Sequence, residues 1–204
     1  WLTNSLSYYY EKNVIAVDFT NKALEIAKAV SNKLEKPSEF YKSDIFEFKT
    51  NKCFDLVISL GVLHHTFDCE KAFFKISKFV KPKGFIYIGL YHFYGRRPML
   101  KFLQSYCKWH GEESAYKLFK KMNKSMYEDS HSYSFFRDQV LHPHETQHTY
   151  EELLKWINKI GFKIVSTSIN NYKDISKFNN EDLFKMEKSL EKLSYERNIK
   201  QLKF

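Results

Sequence analysis

Two adjacent histidines, His64 and His65, are the residues best suited to proton transfer in this sequence. An imidazole titrates near neutral pH, so it can take a proton from a nucleophile or position a substrate. Both histidines follow Gly61, whose missing side chain permits close approach of the backbone to a ligand. In an alternative interpretation, one histidine packs beneath its loop and the other caps the following helix. The sequence leaves the two interpretations open.

Two aspartates follow other apolar segments, at positions where a nucleotide-like ligand could bind. A carboxylate at Asp18 can accept hydrogen bonds from both hydroxyls of a ribose, or it can stabilise the N-terminus of a helix. A carboxylate at Asp44 can accept from the exocyclic amine of an adenine while Ile45 packs on the ring. Alternatively, Asp44 is a turn residue that bonds to its own backbone.

Aromatic and basic residues follow a further apolar run, at positions 91–97. Tyr91, Tyr94 and Arg96 are candidates to contact an anionic or aromatic substrate, because a guanidinium binds anions and stacks on rings. In the alternative interpretation, Tyr94 and Arg96 anchor the following helical segment to the core. The residue types alone fit both roles.

The densest polar cluster is His142-Pro143-His144-Glu145, with His148 close behind. A His-x-His pair with a carboxylate is one way to bind a metal ion. However, alternate residues beside a proline can point apart, and no cysteine lies near. We therefore predict no metal site, and we expect His142 and Glu145 to fold over the substrate at the mouth of the active site.

Four apolar segments predict the strands that position these residues. The predicted strands are 14–17, which is expected to be buried, 38–42, 54–60 and 85–90, with a turn at 81–84. Helical periodicity predicts helices at 1–10, from Thr20 or Asn21 to before Pro37, and at 70–80. This alternation predicts an α/β fold with a doubly wound, mostly parallel sheet. Ligands bind at the carboxyl ends of the strands in such sheets, where the histidines and aspartates lie.

The second half of the sequence is mainly helical. Residues 97–137 have helical periodicity that breaks near Gly111. Thr149 and Glu152 form a capping box for a helix that ends at Gly161, and a strand is predicted at 162–169. A charged helix, solvated on one face, is predicted at 180–200.

The elements group into four predicted domains or segments. A ligand-binding core spans 1–96, and a helical insertion or lid spans 97–141. The final helix and strand of the core span 142–175, and a charged C-terminal helix spans 176–204.

Four short segments, VDFT, SDIF, FDLVISLGVLHHT and KPKGFIYIGL, occur in this order. In this order and spacing the sequence resembles class I methyltransferases that use S-adenosylmethionine. The resemblance covers residues 1–92 and resumes at HTYEELLKWINKIGFKIVSTSI. Each segment is weakly specific alone, whereas four in register are a specific signal. The resemblance implies a Rossmann-like fold and methyl transfer. The sequence does not identify the methyl acceptor: a small metabolite, a lipid-like quinone, a sugar intermediate and a protein stay open, and we expect a small molecule.

The resemblance also implies that S-adenosylmethionine is the cofactor. The implied cofactor-binding residues are Asp18, Phe19, Asp44, Ile45, Ser59, Leu60 and His65. Asp18 would hold the ribose hydroxyls, and Phe19 would lie beside the adenine. Asp44 and Ile45 would hold and sandwich the adenine. The last three would line the methionine part and the route to the acceptor.

One departure from the family pattern concerns the beginning of the chain. The family has a first strand and a glycine-rich loop before the helix that opens this sequence at Trp1. We therefore expect a truncated form of the fold, with those segments upstream in a longer protein. The chain by itself is expected to bind the cofactor weakly or not at all.

Composition excludes several other classes of protein. With 43% hydrophobic and 28% charged residues the chain is globular, and no apolar run approaches the roughly 18 residues that span a bilayer. Three scattered cysteines predict a reducing, cytoplasmic location. The net charge of +9 comes mostly from dispersed lysines, so nucleic-acid binding is not expected.

Two other functions stay open at this point. A nicotinamide-dependent dehydrogenase also places an acidic residue after its second strand, but the Asp44 segment and the GVLHHT loop favour the methyltransferase. A non-catalytic binding or scaffold protein could be built on a degenerate form of the same fold, and its charge could associate it with nucleic acid.

Overall fold

A computed structural model describes residues 1–36, 38–123 and 129–202. The chain divides into two compact units. The first unit comprises Trp1–Ile58 and Lys71–Tyr87, and the second comprises Ser59–Glu70 and the chain from Ile88 onward. The division into two units does not test the four domains or segments predicted from the sequence, which stay a prediction.

The first unit opens with a parallel βαβ arrangement. Helix α1 (Leu2–Tyr10) is followed by strand β1 (Ile15–Asp18), helix α2 (Asn21–Lys33) and strand β2 (Glu39–Lys42). Strands β1 and β2 pair in parallel, with Asp18 opposite Lys42. The parallel pairing and the four elements confirm the predicted α/β fold.

The expected burial of β1 is wrong. Its residues are half-buried or exposed, and 37% of Val17 is accessible to solvent. Among the described strands, β1 pairs only with β2. An apolar run therefore identified a strand but not how much of it is covered.

Strand β3 (Phe54–Leu60) pairs with strand β4 (Val80–Gly89), and helix α3 (Cys69–Ser77) lies between them in the chain. The turn predicted at 81–84 is wrong, because these residues belong to β4. The backbone stays paired there although Lys83 has a φ of 66°. A Cβ at Gly84 would lie 3.0 Å from the carbonyl oxygen of Asp55, so glycine permits the close approach of the strands.

Three helices of the second unit share a hydrophobic cluster. They are α4 (Phe93–His110), α5 (Glu112–Met122) and α6 (Asp129–Val140). Gly111 separates α4 from α5 with a φ of 82°, as the predicted break requires. The buried side chains shared by these helices are Leu103, Ala115, Phe119, Met122, Phe136 and Val140. The aromatic residues of this segment therefore include core residues.

Helix α7 (Tyr150–Lys159) begins as predicted, because the hydroxyl of Thr149 accepts a hydrogen bond from the Glu152 backbone N–H at 3.1 Å. The strand predicted at 162–169 is wrong. Residues 162–167 have no regular structure, and Ser168–Asn170 form a short 3₁₀ helix. An apolar segment becomes a strand only where a partner strand accepts its backbone hydrogen bonds.

Helix α8 (Asn180–Leu202) confirms the predicted charged helix and packs on α4, α5 and α7. Leu183 and Glu187 lie on its buried side. In the part of the chain that the structure describes, no helix combines the length and apolar character needed to cross a membrane.

Candidate active site

The predicted histidine loop lies in the second unit, directly after β3. Residues Leu63–His65 form a single 3₁₀ turn, in which Leu63 and His64 are buried. The backbone N–H of Thr146 donates to the carbonyl oxygen of His64 at 2.9 Å. The loop after β3 is therefore joined to the segment that the sequence predicted to close over a substrate.

A reciprocal pair of histidine contacts strengthens this junction. The Nδ1 of His65 lies 2.9 Å from the carbonyl oxygen of His144, and the Nε2 of His144 lies 2.7 Å from the carbonyl oxygen of Thr66. The ring of His142 packs on the ring of His65, with 3.9 Å between their centroids. His65 is thus in contact with two histidines from a distant part of the chain.

Tyr91, the second residue after β4, lies at the centre of a stack. Its ring centroid is 4.0 Å from that of His64 and 3.8 Å from the guanidinium carbon of Arg96. Two groups this close cannot share one face of the ring, so Tyr91 lies between them. Stacking on a cation and on a second ring fixes the orientation of the tyrosine.

Arg96 is held by a buried carboxylate and an amide. Its Nε and Nη2 donate to the two carboxylate oxygens of Glu145 at 2.8 and 2.7 Å, a bidentate pair. Its Nη1 and Nη2 also donate to the side-chain and backbone oxygens of Gln139. Gln139 in turn donates to the hydroxyl of Tyr91 at 2.8 Å. These bonds are those of an anchoring residue.

Burial and hydrogen bonds shift the pKa of His64 and the pKa of Glu145, the partner of Arg96. Burial, followed by the positive potential of His65, lowers the pKa of His64 to about 4, so this ring is neutral at physiological pH. Burial by itself raises the pKa of Glu145, but the hydrogen bonds from Arg96 and Gln147 outweigh it and the net pKa is lowered. The pair with Arg96 is therefore ionised on both sides.

His64 has one further property. Both of its ring nitrogens are buried, and neither has a hydrogen-bond partner among the described residues. A buried N–H without a partner is unfavourable by about 1–3 kcal/mol. Such groups in native structures call for an explanation, and a bound ligand or water is one of them.

His148 continues the polar network away from the stack. Its Nε2 lies 2.8 Å from the hydroxyl of Thr146 and its Nδ1 lies 3.0 Å from the carboxylate of Glu152. Its backbone N–H donates to the carbonyl oxygen of Tyr91 at 2.9 Å. Glu152 thus bonds to His148 rather than completing the reciprocal half of the predicted capping box.

Glu187, a buried carboxylate on α8, was not predicted from the sequence. It accepts a hydrogen bond from the backbone N–H of Tyr150 and lies 3.2 Å from the Nε2 of His92. The signal was present, because Glu187 occupies the apolar stripe of its helix with Leu183 and Leu190. The predicted substrate residue Tyr94, by contrast, contacts the rings of Phe93 and His92 rather than the stack around Tyr91.

The predicted adenosine-binding residues lie in the first unit. One carboxylate oxygen of Asp18 accepts from the backbone N–H and the hydroxyl of Thr20, both at 2.7 Å. One oxygen of Asp44 accepts from the backbone N–H of Phe46 at 2.7 Å. The second oxygen of each aspartate has no hydrogen-bond partner among the residues described, so each can accept from a ligand. The side chain of Phe19 is 71% exposed.

The other predicted cofactor residues vary in exposure. Ile45 and Ser59 are half-buried and Leu60 is exposed. Gly89 lies against Leu60, because a Cβ there would come within 3.0 Å of the Leu60 side chain. Within the described ranges, no group of three or more histidine, cysteine, aspartate or glutamate side chains is arranged to hold a metal ion.

Comparisons with known proteins agree on one family. The sequence profile of the methyltransferase domain matches residues 4–158. Ubiquinone biosynthesis O-methyltransferase of Rickettsia canadensis (strain McKiel) is 30% identical over 77 residues, which are 38% of this chain and 33% of that protein.

Solved structures share the fold. PKMT2 from Rickettsia typhi superposes with a TM-score of 0.69 over 95% of this chain and 44% of its own, at 16% identity. The plantazolicin methyltransferase BpumL, solved in complex with SAH, superposes with a TM-score of 0.50 over 89% of this chain and 63% of its own, at 15% identity. The chain thus spans about a third of the curated relative and less than half of PKMT2.

Proposed function

Because the chain belongs to the methyltransferase domain family, we propose that it forms part of an enzyme that transfers a methyl group from S-adenosylmethionine to a small-molecule acceptor. The observation that carries this proposal is the stack of His64, Tyr91 and Arg96 after the carboxyl ends of β3 and β4. Ligands of parallel α/β sheets bind at such strand ends. We keep a cytoplasmic location as a prediction from the cysteines.

The chemistry of the first unit fits the adenosine part of the cofactor. The unengaged oxygen of Asp18 would accept from the ribose hydroxyls, and that of Asp44 would accept from the adenine amine. The exposed ring of Phe19 and the side chain of Ile45 offer apolar surface to the adenine. In the second unit, Ser59, Leu60 and His65 would line the methionine part. When bound, this cofactor supplies a methyl group activated on a sulfonium.

The second unit would position the acceptor. Methyl transfer is a displacement that depends on alignment of the nucleophile and exclusion of water. Arg96 and Glu145 satisfy each other, so we propose that they fix Tyr91 rather than bind an anion directly. Tyr91 and His142 would then contact the acceptor, with Tyr94 at the beginning of α4 as a more distant candidate. His64 and His65 stay the candidates for proton transfer.

Calorimetric titration tests the cofactor assignment. S-adenosylmethionine and S-adenosylhomocysteine are titrated into the protein with any sequence that precedes or follows this chain in its natural form. We expect both to bind, and Asp18→Ala to weaken the affinity about tenfold or more, since a charge-assisted hydrogen bond contributes roughly 1.5–3 kcal/mol. The matched control is Asp55→Ala, which removes an exposed carboxylate paired with Lys81 at 2.9 Å.

The control variant is expected to keep the wild-type affinity. A folded protein that binds neither ligand contradicts the proposal and favours a non-catalytic scaffold on the same fold. Equal weakening by Asp18→Ala and Asp55→Ala contradicts the role given to Asp18 alone.

A further inference from the structure

Backbone contacts fix which ring nitrogen of His65 carries its hydrogen. The Nδ1 of His65 lies 2.9 Å from the carbonyl oxygen of His144. A carbonyl oxygen has no hydrogen to donate, so Nδ1 must be the donor. In the neutral ring the Nε2 is then a bare lone pair, which is the state a proton acceptor needs.

The neighbouring His142 is fixed in the opposite way. The backbone N–H of His144 donates to the Nδ1 of His142 at 3.2 Å. This Nδ1 must therefore be the bare nitrogen, and the neutral ring carries its hydrogen on Nε2. The same residue, His144, thus sets both rings, through its carbonyl oxygen for one and its N–H for the other.

The two rings are in contact, and they offer one acceptor nitrogen and one donor nitrogen. Their centroids are 3.9 Å apart with an interplanar angle of 38°. Neither Nε2 has a hydrogen-bond partner within the ranges that the structure describes. Both rings are only half-buried, so a ligand can reach them. A group that both donates and accepts a hydrogen bond is complementary to this pair.

Among nucleophiles, a hydroxyl fits this pair best. Its hydrogen can go to His65, and its oxygen can accept from His142 with one of two lone pairs. The other lone pair stays free to attack. A neutral amine has a single lone pair, which a bond from His142 would occupy, and a carbon nucleophile accepts no such bond.

We propose that His65 and His142 bind the hydroxyl of the methyl acceptor, with His65 as the catalytic proton acceptor and His142 as the hydrogen-bond donor. This inference rests on the proposed function. The oxygen forms a bond to the methyl carbon as the carbon–sulfur bond breaks and leaves its electron pair on sulfur. The hydroxyl proton moves to the Nε2 of His65 and then to solvent.

Long-range ¹H–¹⁵N NMR of the histidine rings tests the tautomers without any cofactor. We expect His65 to carry its hydrogen on Nδ1 and His142 on Nε2. Hydroxyl compounds, with phenol and benzyl alcohol as probes, should shift the Nε2 resonances of both rings. The matched anisole and benzyl methyl ether, which lack the hydroxyl hydrogen, should leave the His65 resonance in place. Reversed tautomers, or no shift with either hydroxyl probe, overturn the proposal.

Two asparagine variants separate the chemistry from the fold. In His65→Asn the amide can still donate to the His144 carbonyl, and in His142→Asn the amide oxygen can still accept from the His144 N–H, while each loses its Nε2. We expect probe binding to weaken about tenfold in each, corresponding to the loss of one hydrogen bond of roughly 1.4 kcal/mol. The control is His110→Asn, at an exposed histidine that contacts Tyr106. Equal effects in all three variants contradict the proposal.

The two proposals fail in different ways. Cofactor binding with reversed tautomers, or methyl transfer to aniline and benzylamine but not to phenol or benzyl alcohol, overturns this inference and leaves the proposed function in place. Absence of cofactor binding with the stated tautomers overturns the proposed function instead.

Discussion

The candidate site residues of the two units are held in different ways. In the first unit, Asp18 bonds to Thr20 and Asp44 bonds to Phe46, each two residues ahead in the chain. In the second unit, Arg96 bonds to Glu145 across 49 residues and His92 contacts Glu187 across 95. Local bonds form wherever a turn forms. Distant bonds exist only when a whole set of elements has packed.

Because of this difference, we expect substitutions to affect the two regions differently. A carboxylate held by its own turn keeps its place without support from other elements. A stack such as that of Tyr91 depends on every element that contributes to it, because an ion pair loses its value when one partner is removed. Perturbations of the second unit should therefore affect stability and geometry together.

The largest expected effect comes from Arg96→Ala. The side chains of Arg96 and Glu145 are 11% and 6% exposed, so the variant leaves a buried carboxylate without its partner. We expect the free energy of unfolding to fall by about 3–5 kcal/mol, as urea denaturation would measure. The control is Lys117→Ala, which removes an exposed ion pair with Glu113 and should hardly change stability. If Arg96→Ala lowers the free energy of unfolding by less than about 1 kcal/mol, the buried pair stabilises the second unit no more than an exposed ion pair would, and the expected sensitivity of this unit is wrong.

A second effect of nearly this size comes from the titration of His64. Below pH 6.5 the unfolded chain binds a proton at this histidine, whereas the folded protein does so only near pH 4. Stability therefore falls as pH drops through this window, by about 3 kcal/mol in total. His64→Phe keeps an aromatic ring against Tyr91 and should lose this part of the pH dependence.

The measurement for His64 is the difference between the two proteins in unfolding free energy from pH 7 to pH 4. The charged and titratable groups that act on His64 are His65, Glu145, Arg96 and His148, and all of them stay in both proteins. If the unfolding free energies of wild type and His64→Phe fall equally between pH 7 and pH 4, His64 is not buried as a neutral ring.

The smallest expected effect compares two threonines at helix N-termini. Thr149 caps α7 through its hydroxyl, so Thr149→Ala should destabilise by about 1 kcal/mol. Thr20 precedes α2 without a capping hydrogen bond, because its hydroxyl donates to Asp18. Thr20→Ala should therefore lower the unfolding free energy less, as chemical denaturation of both variants would show. Equal losses of unfolding free energy in the two variants would mean that the hydroxyl of Thr149 stabilises its helix no more than that of Thr20 does.

The elements of the fold were largely readable from the sequence where their signal is local. The bounds of β3 match the predicted strand at 54–60, and a glycine with positive φ separates α4 from α5. The errors at 81–84 and 162–169 concern strand pairing. Pairing depends on where another strand lies, and neither apolar periodicity nor a proline-glycine segment contains that information.

The grouping of the candidate site was partly predictable for the same reason. The rule that ligands bind at strand ends led to His64, His65, Tyr91 and Arg96, which the structure brings together. The contacts of Tyr91 and Arg96 with Gln139 were not predictable, because Gln139 lies on a helix whose packing the sequence does not specify. The roles of all these residues in binding or catalysis stay predictions.

The contact between His92 and Glu187 also bears on how the protein is made. These residues are 95 positions apart, and Glu187 is the partner of both His92 and the first N–H of α7. During synthesis, the junction of β4 and α4 must wait for α8 to leave the ribosome. Until then His92 and the beginning of α7 lack this carboxylate, so the second unit completes its fold only after α8 has been translated.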